Sequence, residues 1–321
     1  MTLTELKYIV AVARERHFGK AAEACFVSQP TLSVAVKKLE EELELKIFER
    51  SANEVTVTPL GEEIVRQAQS VLEQAEAIRD IAKRGKDPLA GALKLGVIYT
   101  IGPYLLPDLV RQMIRHTPQM PLVLQENFTV KLLEMLRTGE IDCAILAEPF
   151  PDAGLAVAQL YDEPFLAAVP SHHPLAQQTS VTTDNLKQET MLLLGTGHCF
   201  RDHVLEVCPE FARFSSNAEG IAKSFEGSSL ETIRHMVAAG MGVTLVPRLS
   251  IPKEALAVQP EGKARRKKDE DALVRYLPFD GDPPTRRVVL VWRRSFTRYE
   301  AIAALRNAVY ACELPGVARL S

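Results

Sequence analysis

The sequence lacks any long hydrophobic run, and neither sign of charge dominates it. No apolar stretch approaches the roughly 20 residues of a membrane-spanning helix, and the start, MTLTELKYIVAVARERHF, shows no basic leader with a cleavage site. The 38 Lys and Arg residues nearly balance 41 Asp and Glu residues, which leaves a net charge of −3. Any nucleic-acid surface must therefore be a local patch. We expect a cytoplasmic protein with no membrane partner.

Cysteine is also scarce, with five residues in a chain of 321. An odd number in a large cytoplasmic chain argues against a framework of structural disulfides. No Cys-x-x-Cys pair occurs, and His198 adjoins Cys199 too closely for both to bind one zinc ion easily. We expect neither a metal nor a cofactor. The composition leaves open a redox or catalytic thiol among Cys25, Cys143, Cys199, Cys208 and Cys312.

The length and the 46% hydrophobic content are those of a globular protein with two or three domains. Residues 1–59 show the pattern of a winged helix-turn-helix. Thr4 is a candidate N-cap of the first helix, Ser28 a candidate N-cap of the third with Pro30 in its first turn, and Asn53–Thr58 alternates like a strand of the wing. A second, short helix fits residues 19–24.

Residues 60–88 indicate a long linker helix. Its apolar residues recur at nearly heptad spacing, which favours pairing with another helix; packing on its own domain is the alternative. Gly85 and Asp87-Pro88 are expected to end it. The apolar positions are Leu60, Ile64, Ala68, Val71, Ala75, Ile78 and Ala82.

Residues 89–321 alternate strand-like and helix-like runs, which predicts an α/β effector domain around mostly parallel sheets. We expect two periplasmic-binding-protein-like lobes, 89–164 plus about 270–300 and about 165–269. The charged run 262–271 is expected to be a solvated loop. Predicted strands are Leu93–Ile98, Leu122–Gln125, Cys143–Ala147, Phe165–Val169, Met191–Leu194, Val243–Val246 and Val288–Trp292. Predicted helices are Leu105–His116, Val130–Thr138, Leu230–Ala239 and Tyr299–Tyr310.

The start of the third helix carries groups suited to DNA. Gln29, Thr31 and Ser33 supply hydrogen-bonding groups near the end that enters the major groove, and Gln can read adenine with two bonds. Lys37, together with Lys38 and Arg50, has the charge to neutralise phosphates. A capped helix start with no DNA role explains the same spacing equally well.

The motifs of the head nevertheless resemble the N-terminal domain of LysR-type transcriptional regulators. The resemblance implies that Gln29, Pro30, Thr31, Ser33, Lys37 and Arg50 contact double-stranded operator DNA. The acidic stretch 40–42 must then point away from the phosphates. The matching motifs are FGKAA at 18–22, VSQPTLS at 27–33, KLE at 38–40, Leu45-x-x-Phe48-x-Arg50 and Thr58-x-x-Gly61.

A second group of residues surrounds Cys199. A thiolate is the nucleophile in peroxide chemistry and needs nearby positive charge or donors; His198 and Arg201 are adjacent in sequence, and Asp202 is placed to orient Arg201. Cys208 follows nine residues later. If 199–208 is helical, the two Cα atoms lie about 13 Å apart, so a disulfide requires unwinding. Inert, packed cysteines remain the alternative.

This segment is similar to the redox segment of the peroxide-sensing LysR-type regulators, as are stretches 99–107, 126–129 and 228–238. The resemblance implies that Cys199 is the peroxidatic thiol and Cys208 the resolving thiol, with Thr100, Thr129 and His198 around the peroxide and Arg201 and Asp202 supporting the thiolate. Val130 departs from the polar residue that relatives often carry there. Residues 260–271 match nothing in the family pattern.

The resemblance further implies a nucleoid-associated homotetramer, a dimer of dimers, that contacts RNA polymerase, activates peroxide-defence genes and is reset by a thiol reductant such as glutaredoxin. Two rivals remain. A regulator that senses a small organic ligand between its lobes would respond without Cys199 and Cys208. A thiol peroxidase would turn over peroxide catalytically with a reductant.

Overall fold

The computed structural model describes residues 1–50, 55–84, 89–209, 224–227, 229–252 and 273–320, without the side chains of residues 50, 77, 79–84 and 224–226. Asn53, the 85–88 helix end and the 262–271 run lie outside these ranges. The first domain is a winged helix-turn-helix, as predicted. Its elements are α1 (Leu3–Glu15), α2 (Phe18–Ala24), α3 (Gln29–Glu42), β1 (Phe48–Arg50) and β2 (Val55–Val57).

The helix starts follow from their caps. Ser28 caps α3 as predicted, its hydroxyl accepting from the Thr31 amide at 3.3 Å. The prediction that Thr4 caps α1 is wrong, because Thr2 is the N-cap. Glu5 lies three residues after Thr2 and accepts from its amide at 2.7 Å, while the Thr2 hydroxyl accepts from the Glu5 amide. This reciprocal capping box satisfies two otherwise unpaired donors.

Glu40 explains part of the acidic stretch at the end of α3. Its buried carboxylate accepts from the amides of Ile47 at 2.9 Å and Phe48 at 3.1 Å, and from Lys46 Nζ at 3.1 Å. Glu40 therefore holds the start of the wing, where β1 and β2 pair antiparallel. Glu42 pairs with the N-terminal amine at 2.7 Å.

We expect Glu40→Ala to lower the free energy of unfolding of the head by about 1–3 kcal/mol, because two buried amides lose their acceptor. Glu41→Ala is the matched control: its ion pair with Lys37 is exposed, so its effect should stay within about 0.5 kcal/mol. Urea unfolding of the two variants checks this. Equal midpoints would contradict the bracing role of Glu40.

The linker helix α4 spans Pro59–Arg84. The apolar stripe divides along its length: Ala68 is buried and Ile64 packs against the core of the head, whereas Leu60, Val71 and Ile78 are exposed. The packing interpretation therefore holds for part of the stripe, and pairing with another helix stays a prediction. Packing on α1 covers the first turns, and an apolar surface remains for a partner helix. None of the described helices has both the length and the apolar composition of a membrane span.

The effector domain contains two hydrophobic clusters, which we call the first and second lobe. The first lobe has a central sheet covered by helices, as alternating strands and helices require. It is formed by β3 (Leu93–Ile98), α5 (Gly102–His116), β4 (Leu122–Asn127), α6 (Thr129–Arg137), β5 (Cys143–Ala147), the first half of β6 (Leu155–Pro170), β11 (Thr285–Arg293) and α10 (Tyr299–Ala311).

The second lobe is built on the other half of β6. It adds α7 (Thr183–Leu186), β7 (Met191–Leu194), α8 (Cys199–Val207), β8 (Ser224–Gly227), α9 (Leu230–Ala238), β9 (Thr244–Pro247) and β10 (Val274–Leu277). A short strand, β12 (Ala318–Arg319), pairs with β6 near Asp162. Short 3-10 turns occur at Pro174–Gln177 and Arg248–Ser250.

The strand β6 runs through both lobes. Its first half pairs antiparallel with β11, and its second half with β9 and β10. The expectation of mostly parallel sheets is therefore wrong: only β3–β4, β3–β5 and β7–β8 are parallel among the described pairs. The chain was also predicted to return to the first lobe at about residue 270, but the packing places that return later in the sequence. Leu277 and Phe279 belong to the second cluster and α10 to the first.

Candidate functional site

The start of α3 presents the predicted DNA-contacting residues to solvent. Gln29, Pro30, Thr31 and Lys37 are exposed, and Ser33 is half-buried, because the buried face of α3 carries Leu32, Val36 and Leu39 instead. The Thr31 hydroxyl lies 2.8 Å from that of Ser28. The Arg50 side chain lies outside the described part of the chain.

Sequence reasoning missed Val34 on the same helix. Its apolar side chain is 68% exposed, on the surface that also carries Ser33 and Lys37 between α3 and the wing. Apolar groups on a recognition helix contact the thymine methyl in the major groove. An exposed valine one residue from Ser33 was the available signal.

Cys199 is the first residue of α8 and lies between the lobes. It packs against the first cluster, whereas Phe200, next in sequence, is buried in the second and contacts Phe165. The first turn of a helix favours a negative charge through its free amides and dipole. The condition stated from sequence, that this segment is helical, is met over Cys199–Val207, with Cys208 as the C-cap.

The predicted neighbours of the thiol meet it in one small cavity of about 10 Å³. That is close to the least volume that holds one water-sized molecule. Thr100 follows β3, Thr129 begins α6, and His198 is the residue before α8; all three are buried. Hydroxyls and an imidazole offer both donors and acceptors to a small polar molecule.

Opposing influences act on the thiol. Burial raises the pKa of Cys199 above its ordinary value. The Thr129 hydroxyl, the positive charge of Arg286 and the cysteine's own amide lower it. Apart from this interaction with the thiol, the buried Thr129 hydroxyl has no hydrogen-bond partner. It is thus available to a molecule in the cavity.

The predicted role of Asp202, to orient Arg201 and so support the thiolate, stays a prediction. The Asp202 carboxylate is exposed, and its negative charge raises the pKa of Cys199. Arg201 is buried and donates from Nη1 to the carbonyl oxygen of Leu194 at 2.9 Å, an interaction that fixes the start of α8 to β7.

Arg286 supplies the positive charge, and sequence reasoning missed it. From β11 its guanidinium donates to the Thr100 hydroxyl at 2.8 Å and to Glu163 at 2.8 and 2.9 Å. Both members of the ion pair are 1% exposed. It also lies over the ring of Phe200, 5.4 Å from its centre. An arginine two residues before the buried apolar run Val288–Val291 was the available signal.

Cys208 lies fully buried in the second cluster at the end of α8. Cys199 and Cys208 are not disulfide-bonded, and nine residues of helical rise separate their Cα atoms by about 13 Å. The same helix is held at its middle by His203, whose Nε2 lies 2.7 Å from the carbonyl oxygen of Glu148. A bond between the two sulfurs therefore requires this helix to unwind.

Burial also raises the pKa of the other three cysteines. Cys143 is buried in β5, and burial raises its pKa strongly. Burial likewise raises the pKa of Cys312 to about 12. Cys25, at the end of α2, is half-buried and its pKa is raised by burial despite two nearby cations. A raised pKa keeps these thiols protonated at neutral pH, as is usual for cysteines that serve as packing residues.

A helix-turn-helix head joined by a long helix to a two-lobed effector domain defines a DNA-binding transcription regulator. The comparisons with known proteins agree. Residues 3–62 match the bacterial regulatory helix-turn-helix protein, lysR family, and residues 86–311 match the LysR substrate binding domain. The chain belongs to the LysR family of transcriptional regulators, which are not enzymes.

Relatives within the family are similar along nearly the whole chain. The hydrogen peroxide-inducible genes activator of Pectobacterium carotovorum is 38% identical over 94% of this chain and 95% of its own. The DNA-binding transcriptional dual regulator OxyR of Escherichia coli K12 is 38% identical over 94% of both. Full-length OxyR C199D from Pseudomonas aeruginosa is 49% identical, with a TM-score of 0.76 over 98% of this chain and 96% of that one.

Proposed function

We propose that this regulator senses hydrogen peroxide through Cys199 and activates oxidative-stress defence genes. The observation that carries the proposal is the meeting of Cys199 with Thr100, Thr129 and His198 around a cavity large enough only for a very small polar molecule. The relatives named as hydrogen peroxide-inducible activators support the same conclusion.

The chemistry needs two steps. The Cys199 thiolate attacks one peroxide oxygen, the S–O bond forms and the O–O bond breaks, and the departing hydroxide takes a proton to become water. The Cys208 thiolate then attacks the sulfenic sulfur, and a second water leaves as the disulfide forms. Both cysteine sulfurs are oxidised and the peroxide is reduced.

The second step carries the signal to the DNA. Because α8 separates the sulfurs, disulfide formation refolds the segment and removes Cys208 from the second cluster. The exposed apolar residues of α4 suit pairing with a second copy. The proposed assembly is a homotetramer, a dimer of dimers, in which refolding changes the spacing of the heads on operator DNA.

The remaining partners follow from the same proposal. RNA polymerase receives the signal, and a thiol reductant such as glutaredoxin restores the dithiol in the cytoplasm. The proposed domain limits are 1–59 for DNA binding, 60–88 for the linker and 89–321 for regulation. The extents of the two family matches support them.

Peptide mass spectrometry after a brief treatment with one equivalent of hydrogen peroxide, beside DNA footprints of both forms, tests the proposal. We expect a Cys199–Cys208 disulfide and a shifted footprint. A free Cys199 thiol, with DNA binding intact, would refute peroxide sensing.

The DNA interface makes a separate prediction. On an operator selected from random DNA, Gln29→Ala should cost about 1–3 kcal/mol in specific binding and little in non-specific binding. Lys37→Ala should weaken both and reduce the salt dependence by about one phosphate contact. Lys131→Ala, at an exposed lysine of α6 in the first lobe, is the control. If only the Lys131→Ala control reduced the salt dependence, the predicted DNA interface on α3 would be wrong.

A second candidate function is supported by one observation. A larger cavity of about 340 Å³ lies between the lobes, lined by residues that include Tyr104, Glu126 and Glu231, and it is of a size that suits a small organic effector. That function predicts induction by such a compound in a Cys199→Ser, Cys208→Ser double variant, whereas the peroxide proposal predicts no induction.

A further inference from the structure

Three rings form a cluster at the edge of the cleft between the lobes. Phe128 and His198 meet edge to face with ring centres 4.8 Å apart, and Tyr99 meets Phe128 at 5.2 Å and His198 at 5.9 Å. Phe128 is 37% exposed and Tyr99 is 40% exposed, whereas His198 is buried. The cluster therefore has one face to solvent and one face toward the interior.

The same three rings line two cavities. On one side is the cavity of about 10 Å³ beside Cys199 and Thr129. On the other is the cavity of about 340 Å³, whose lining includes Pro103 and Leu230. The rings are thus a partition between the thiol and a much larger, partly apolar space.

The backbone holds the Phe128 ring in place. Gly197 has a φ of +97°, and a Cβ built there would lie 3.3 Å from Phe128 Cδ1. The Phe128 ring therefore packs against the backbone of Gly197, in space that a side chain at position 197 would crowd. Phe128 itself is the extended N-cap residue of α6, directly before Thr129. The start of α6 therefore positions both the Thr129 hydroxyl and the Phe128 ring.

We propose that Phe128, with Tyr99, sets the oxidant selectivity of Cys199 by closing the small cavity to hydroperoxides bulkier than hydrogen peroxide. This inference rests on the proposed function. An alkyl group on the peroxide has no room in a cavity of water size. It would have to occupy the space of the Phe128 ring or extend beyond it into the larger cavity.

The chemistry with an organic hydroperoxide is balanced in the same way. The Cys199 thiolate attacks the terminal oxygen, the S–O bond forms and the O–O bond breaks, and the alkoxide takes a proton and leaves as the alcohol. The thiol becomes a sulfenic acid. Selectivity therefore depends on access and fit, since the bond broken is the same.

The test compares Phe128→Ala with the wild-type chain, full-length and reduced. Rates of Cys199 oxidation are measured with excess hydrogen peroxide and with tert-butyl hydroperoxide, by quenching and mass spectrometry. We expect the ratio of the organic rate to the hydrogen peroxide rate to rise about tenfold or more in Phe128→Ala. Phe128→Leu, which retains more of the fold's packing, should show a smaller rise in the same direction.

Two further variants sharpen the test. Phe128→Tyr keeps the ring and should keep the wild-type ratio. Val130→Ala removes an apolar side chain two residues away that is 77% exposed and lines neither cavity, and it should also keep that ratio. An unchanged ratio in both Phe128→Ala and Phe128→Leu, with hydrogen peroxide still reacting, would overturn the role of Phe128 in selectivity but leave the proposed function intact. Failure of wild-type Cys199 to react with hydrogen peroxide would overturn the proposed function as well.

Discussion

Peroxide-dependent change in DNA binding is expected to vanish in Cys199→Ser, with induction of a reporter falling to the uninduced level. The serine hydroxyl keeps the size of the side chain but supplies no thiolate, the species that attacks peroxide. DNA binding by the head should persist, because Cys199 packs on the first lobe, outside the core of the head. Footprints with and without peroxide measure both properties at once.

Cys208→Ser separates the two chemical steps. We expect Cys199 to stop at the sulfenic acid, which a carbon acid such as dimedone traps, with no disulfide and no shifted footprint. Cys25→Ser, a half-buried position in the head, is the control and should respond normally. A normal peroxide response in Cys199→Ser would eliminate this thiol as the sensor.

Arg286→Met is expected to have the second largest effect, on both stability and reactivity. It leaves the Glu163 carboxylate buried without its partner, and loss of one member of a buried ion pair costs about 3–5 kcal/mol. It also removes a charge that lowers the pKa of Cys199. The pKa of the thiol should rise, so the reaction with peroxide should slow at neutral pH and recover as pH increases.

The direction of this pH effect follows because the thiolate of Cys199, not the thiol, reacts with peroxide. Below the thiol pKa, the thiolate fraction grows tenfold with each pH unit, so a raised pKa displaces the rate profile toward alkaline pH. Glu163→Gln is the matched control, since it breaks the same ion pair but keeps the arginine charge. It should lose stability without the alkaline displacement. Superimposable pH profiles for Arg286→Met and wild type would show that Arg286 acts on folding only.

Predictability from sequence differed between the elements for physical reasons. Strands Leu93–Ile98, Cys143–Ala147 and Met191–Leu194 were predicted with correct limits because each is a short, mostly apolar run bordered by polar residues or turns. Only the end of β6 was predicted, because Asp162, Glu163 and Pro164 interrupt its apolar pattern. The short strands β8 and β10 were missed, since a few mixed residues at a sheet edge carry little periodicity.

The candidate site shows the same limit. Cys199, His198 and Cys208 are neighbours in sequence, so local pattern brought them together. Arg286 was missed because it meets Thr100 across 186 positions of chain, a distance that no local pattern spans. The direct effect of the Asp202 charge, which raises the pKa of Cys199, was also not predicted, because proximity in sequence does not reveal the direction in which a charge acts on the thiol.

The burial of Cys208 has a consequence for how the proposed disulfide is undone. Leaving the second cluster and unwinding α8 cost folding free energy, and this cost is stored in the oxidised protein until the bond is reduced. For a two-electron couple, each 1.4 kcal/mol stored raises the reduction potential by about 30 mV. A more tightly packed Cys208 therefore makes a more oxidising disulfide. The hydrophobic contacts around the Cys208 sulfur would thus set how readily a thiol reductant returns the regulator to its reduced form.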